Sequence, residues 1–169
     1  MKIIISPLSL ASKMIEKYNV NYIISILSPG ESFPVFNDIK NTNHLKLSFN
    51  DITCQKKNLI EPALYHVENI LNFSKKCSKN ETLLIHCYAG ISRSTAVALI
   101  LYSYYKKDIK ADFIAKKFRS LSPFANPNSL LLKLGDHLIG NNNVLTECHG
   151  LLKKPKLTYE NKPFVLNCS

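Results

Sequence analysis

Short apolar runs alternate with stripes of helical spacing along most of this chain. Lys2 to Ser6, Asn21 to Leu27, His44 to Phe49 and residues 82–86 are compact apolar or alternating runs, the pattern of strands. Leu8 to Tyr18, Leu59 to Cys77, the segment from Ser94 onward, Lys110 to Leu121 and Asn128 to Ile139 carry apolar residues at helical spacing. Strand and helix in alternation predict an α/β fold, a mainly parallel central sheet of about four to five strands flanked by helices.

The details sharpen that outline. In the helix from Ser94, apolar residues at Ala96, Val97, Leu99, Ile100, Leu101 and Tyr104 leave almost no polar side, so it should be the central buried helix. The last helix has Asn126 as a plausible N-cap, Pro127 at its first position, a stripe of Leu130, Leu131, Leu134 and Leu138, and Gly140 as its stop. Beyond it, Asn141-Asn142-Asn143 opens a polar stretch with Lys-Pro breaks and no clear period. The expected organisation is a catalytic-type domain over 1–140 and an extension over 141–169 that packs along the surface or stays mobile.

With 169 residues, 46% of them hydrophobic, the chain has the material for one domain with a buried core. A net charge of +10, from 22 Lys+Arg against 12 Asp+Glu, favours anionic partners at long range. Only Arg93 and Arg119 are arginines, however, and the lysines lie in scattered pairs such as Lys56-Lys57 and Lys153-Lys154. No nucleic-acid-binding motif accompanies them, so nucleic acid is not the expected partner. The five cysteines, at 54, 77, 87, 148 and 168, have neither paired nor metal-type spacing, which predicts free thiols in a reducing, cytoplasmic setting. Met1 to Leu8 has some leader character, but Pro7 and Lys13 interrupt it, and no run reaches the length of a membrane span.

Candidate chemistry concentrates where the strand at 82–86 meets the buried helix: His86-Cys87-Tyr88-Ala89-Gly90-Ile91-Ser92-Arg93-Ser94. A loop at a helix N-terminus offers unpaired N–H groups and the positive end of the helix dipole, which favour an anion and the thiolate form of a cysteine. Cys87 is then a candidate nucleophile, and Arg93 a planar fork able to bond two phosphate oxygens at once. Gly90 lets the backbone turn so that the N–H groups from Tyr88 through Ala89, Gly90, Ile91 and Ser92 to Arg93 converge as an anion nest. Ser94 either donates to the Cys87 sulfur or caps the helix. His86 is better placed to orient its neighbours than to act as general base or metal ligand. Phosphate or sulfate would suit such a loop, and the chemistry calls for no metal and no cofactor.

This nine-residue loop resembles the signature of the cysteine-dependent protein tyrosine phosphatase superfamily, and is most similar to its compact dual-specificity-type branch. The resemblance covers roughly residues 2–139, and Asn126-Pro127-Asn128 with the leucine-rich helix after it is similar to the family's last helix. It implies a phosphatase-type Cys-x5-Arg fold and a metal-independent phosphoric monoester hydrolase. The implied substrates are phosphorylated proteins or peptides, phosphotyrosine first and phosphoserine or phosphothreonine besides. Members of the family carry a general-acid aspartate on a loop after a central strand, well before the cysteine. Asp51, 36 residues before Cys87 and just past the strand at 44–49, takes that place. Its rival, Asp38, follows no convincing strand. The loop interior of Tyr88, Ala89, Gly90, Ile91 and Ser92 is uncharged, which suits a highly charged inositol head group less well. The alternatives are a phosphate-binding regulatory module with little turnover, or a phosphatase for a phosphoinositide or an RNA 5′ phosphate.

Overall fold

The computed structural model of the chain describes residues 1–37, 39–40 and 43–168. Strands β1 (Lys2–Pro7), β2 (Tyr22–Leu27), β3 (His44–Ser48), β4 (Thr82–Cys87) and β5 (Phe164–Asn167) form one sheet in the order β3-β2-β4-β1-β5. The first four in that order run parallel, and β5 joins β1 antiparallel at one edge. The mainly parallel sheet read from the alternation of elements is therefore present.

Helices α1 (Ala11–Tyr18), α2 (Leu64–Ser74), α3 (Arg93–Tyr105), α4 (Ala111–Leu121), α5 (Ser129–Ile139) and α6 (Val144–Leu151) cover it. Strand side chains divide with period two. Ile3, Ile5, Ile24, Ile26, Leu83 and Ile85 enter the larger core, shared with α2 to α6, while Ile4, Ile23 and Leu84 meet Ala11, Met14 and Ile15 of α1 on the other face. Each of these strand isoleucines and leucines is fully buried, a contribution of roughly 1.5–3 kcal/mol apiece. β4 is buried at all six positions and α3 from Arg93 to Ser103, so the junction between them is anchored in the core on both sides.

Three expectations need correction. The helix expected from Leu59 begins at Leu64, because Pro62 biases the residue before it away from helical backbone. The freed stretch pairs with Asn50 instead: Asn50 N donates to Ile60 O at 2.7 Å and Ile60 N donates to Asn50 Oδ1 at 2.9 Å. In α5 the N-cap is Asn128 rather than Asn126, its side-chain oxygen accepting from Leu130 N and Leu131 N. The buried face of that helix runs through Leu131, Leu132, Gly135 and Asp136, since α3 approaches so closely at Gly135 that an added Cβ would lie 2.6 Å from Ile100 Cγ1.

The stretch after residue 140, without a readable period, contains a helix and a strand. Helix α6 starts where the buried Asp136 carboxylate accepts from Leu145 N, Thr146 N and Thr146 Oγ1, a cap supplied from α5 that no local pattern in 141–151 reveals. The chain then crosses the end of the sheet and returns as β5 beside β1. The lysine-rich charge does not hold these parts together: among the described residues the one ion pair is the exposed Lys116–Asp112 contact at 3.5 Å. No helix among the described residues is long and apolar enough to cross a membrane.

Candidate active site

The loop from Cys87 to Ser94 joins the carboxyl end of β4 to the first turn of α3. Every carbonyl from Tyr88 to Ser92 is bonded outward. Tyr88 O accepts from Leu8 N at 3.0 Å, Ala89 O from Asn161 N at 2.9 Å, and Ile91 O from Asn126 N at 3.0 Å. Gly90 O accepts from Asn161 Nδ2 at 2.9 Å. Ser92 O accepts from Ala96 N and Asn128 N. The N–H groups from Tyr88 to Arg93 have no acceptor among the described residues. Six unpaired donors on one tight loop at a helix N-terminus need an anion or water to satisfy them.

Gly90 is required by that geometry twice over. Its φ is +69°, and a Cβ there would lie 2.6 Å from Pro7 N and 2.8 Å from the Ser6 carbonyl carbon. No side chain fits between the loop and the end of β1.

Arg93 is 5% exposed and folds back under the loop. Its Nη1 donates to Phe49 O at 3.0 Å and to Ser28 Oγ at 3.2 Å. Nε is buried without a partner, and Nη2 makes no hydrogen bond among the described residues. The guanidinium is thus anchored by one nitrogen, with the Nε and Nη2 edge left open. Such an edge is able to donate two parallel N–H bonds to a pair of oxygens. Among the described residues no carboxylate pairs with it.

Cys87 is 2% exposed, and its Sγ lies 3.2 Å from Ser94 Oγ, so of the two roles open to Ser94 the structure displays the contact with sulfur. Burial pushes the thiols of Cys77 and Cys148 up to about 12 and that of Cys168 up to about 11. All five cysteines are free.

Asp51 reaches the same loop from the turn after β3. Ser92 Oγ donates to Asp51 Oδ1 at 2.7 Å, and Asn128 Nδ2 donates to the same oxygen at 2.8 Å. Oδ2 has no partner among the described residues, so one oxygen is fixed and the other is unpaired. Asp38, the rival aspartate, lies outside the described residues. Asn128 ties three parts together: it caps α5, holds Asp51, and donates to Ile52 O at 3.2 Å.

His86 is fully buried behind the nucleophile position. Its Nε2 is 2.6 Å from Ser25 Oγ, which lies 2.7 Å from His44 Nε2. A single hydroxyl between two rings donates to one and accepts from the other, an arrangement that requires a neutral acceptor ring. Both rings are pushed down from 6.5 to about 4, chiefly by burial, with Lys46 adding to the effect on His44. The Cys87 backbone opposes the shift at His86 without closing a well-formed hydrogen bond to Nδ1.

Because these folded-state values lie below the unfolded one, the two rings stabilise the fold fully above pH 6.5, and that contribution is lost as pH falls toward about 4. Denaturation midpoints should therefore drop as pH falls from 6.5, and less steeply in His44→Asn, with the buried His66, also pushed down by burial, keeping part of the slope in both proteins. Equal slopes in the two proteins would refute the assignment.

The sequence reading named Cys87, Arg93, Asp51, Ser94, His86 and the loop residues between them, and the fold brings all of them to one end of the sheet. It missed Asn128, Asn161, Ser28, Ser25 and His44, which hold those residues in place. Asn128 stood within a noted motif; nothing in the local pattern singles out the other four.

No protein-family model matches the chain. It is 33% identical over 153 residues to dual specificity protein phosphatase YVH1 of Plasmodium falciparum (isolate 3D7), a match covering 85% of this chain and 24% of that protein. To dual specificity protein phosphatase 16 of Homo sapiens it is 27% identical over 156 residues, 91% of this chain and 22% of that one. The chain spans about a quarter of the length of these relatives. The crystal structure of DUSP15 superposes with a TM-score of 0.60 at 18% identity, over 89% of this chain and 92% of that one. The fold places a Cys-x5-Arg loop between β4 and α3. In sequence and fold the chain is similar to members of the dual-specificity-like branch of the cysteine-dependent protein tyrosine phosphatase superfamily.

Proposed function

We propose that this chain hydrolyses phosphate monoesters on proteins, phosphotyrosine first and phosphoserine or phosphothreonine besides, through a cysteinyl-phosphate and without a metal. The observation that carries the reading is the loop whose carbonyls are all bonded outward while six N–H groups and the Nε–Nη2 edge of Arg93 are left open beside Cys87. Three equatorial phosphoryl oxygens could take those donors, with phosphorus in line with Cys87 Sγ.

In the first step the Cys87 thiolate forms the S–P bond as the P–O bond to the leaving group breaks, and the protonated Asp51 gives its proton to the departing oxygen. In the second, Asp51 as carboxylate takes a proton from water, whose oxygen attacks phosphorus, and the sulfur leaves as thiolate. Ser94 Oγ, 3.2 Å from that sulfur, donates to the charge that returns to it. Arg93 and the loop N–H groups hold the transferring group through both steps.

Asp51→Asn keeps the hydrogen bonds on Oδ1 and removes the transferable proton. On a phosphotyrosine peptide its kcat should fall by about 10²–10⁴-fold, and on an ester with an activated leaving group by far less. Turnover in chelator should match turnover without it. Equal losses on both esters would remove Asp51 as the acid, and loss of wild-type activity in chelator would remove the metal-free mechanism.

A further inference from the structure

Resting on that reading, we propose that Asn161, in the segment between α6 and β5, is a positioning residue for the phosphate loop, acting through the peptides of Ala89 and Gly90. The segment is tied down along its course. Arg119 Nη2 donates to Lys153 O at 2.6 Å, Lys156 N donates to Pro123 O at 2.9 Å, and Ser9 Oγ donates to Glu160 Oε2 at 2.8 Å. Between these ties Leu157 and Tyr159 are almost wholly exposed, whereas Asn161 is 3% exposed. The strap turns this one polar side chain inward.

All three polar groups that Asn161 presents there are used. Its N–H donates to Ala89 O and its Nδ2 to Gly90 O, each at 2.9 Å, while its Oδ1 accepts from Ser122 Oγ at 2.9 Å. Ser122 Oγ in turn accepts from Ala125 N, so the amide is oriented from the α4–α5 connection. A peptide's carbonyl and its N–H point in opposite directions. Fixing the carbonyls of residues 89 and 90 outward therefore aims the N–H groups of Gly90 and Ile91 at the anion. Gly90, with no side chain and a positive φ, is the position at which a peptide flip meets least steric resistance, so an external clamp matters most there. The strap reaches the loop from a part of the chain 71 residues distant, and is held to the sheet by β5.

The test compares the wild-type chain with Asn161→Ala, Asn161→Asp and Ser122→Ala. Asn161→Asp preserves shape and the Ser122 contact but replaces the Nδ2 donor by an oxygen facing Gly90 O. The readouts are inhibition by inorganic tungstate, kcat and KM on para-nitrophenyl phosphate well below the unfolding temperature, and thermal unfolding itself. Asn161→Ala and Asn161→Asp should weaken tungstate by roughly tenfold or more and lower kcat by a similar factor, with a smaller loss for Ser122→Ala. A purely structural role would lower the unfolding temperature and leave tungstate affinity of the folded protein unchanged. Tungstate inhibition and kcat within twofold of wild type in the folded variants would overturn the proposal; should Asn161→Ala not fold, the other two variants decide it by the same criterion. Wild type that neither binds tungstate nor turns over substrate would instead overturn the phosphatase reading itself.

Discussion

Cys87→Ser is expected to lower hydrolysis of para-nitrophenyl phosphate by at least about 10⁴-fold while leaving tungstate binding intact. A serine hydroxyl at neutral pH is uncharged and a poor nucleophile without a base beside it, and the nearest side-chain contact of Sγ is Ser94, another hydroxyl. The anion cradle is built from groups that the substitution does not touch: the N–H groups of residues 88–93 and the guanidinium anchored on Phe49 O and Ser28 Oγ. Binding and turnover should therefore part company. Calorimetry with tungstate and a steady-state assay on the same preparation check both halves, and turnover surviving the substitution would place the nucleophile elsewhere.

Arg93→Lys is expected to fail differently. The ammonium keeps a positive charge but not a fork, and it has a choice of partners: if it stays with Phe49 O it withdraws from the anion, and if it reaches the anion it leaves that carbonyl unpaired in the core. In the proposed mechanism Arg93 serves both sides at once, Nη1 holding Phe49 O while Nε and Nη2 take the anion. Loss of the two-pronged contact should lower kcat/KM by about 10²–10³-fold or more, and tungstate affinity should fall with it, unlike the outcome at Cys87. Measured kcat/KM within tenfold of wild type would show that Arg93 holds the loop against β3 without touching the phosphoryl group.

What was legible in the sequence was what depends on local order. The strands and α3 were readable because burial on both faces of a parallel sheet writes itself as uninterrupted apolar runs such as Leu83-Leu84-Ile85. The reactive loop was readable because strand, loop and helix N-terminus are contiguous. Asp51 needed the family resemblance, since a loop aspartate looks the same whether it serves chemistry or a turn.

The parts not legible are held by contacts across long stretches of chain. Asn161 meets Gly90 across 71 residues, Asn128 meets Asp51 across 77, and Ser25 meets His86 across 61. A single amide or hydroxyl carries no period, so nothing around Ser25 or Asn161 distinguishes them from surface residues. The strand β5 escaped for a related reason. Its four residues follow Pro163 and acquire their identity from the edge of β1 that they cover.

The central claim is that the phosphoryl group passes through the sulfur of Cys87. Single-turnover reactions with a phosphotyrosine peptide, quenched in acid and digested for mass spectrometry, test it directly, with Ser94→Ala included because loss of the hydroxyl beside the sulfur should slow departure of the thiolate. One phosphoryl group per chain on the peptide containing Cys87, formed before phosphate is released and accumulating further in Ser94→Ala, is the predicted result. Phosphate release at the full rate with no phosphorylated Cys87 at any time, or a phosphoryl group on another residue, would contradict it.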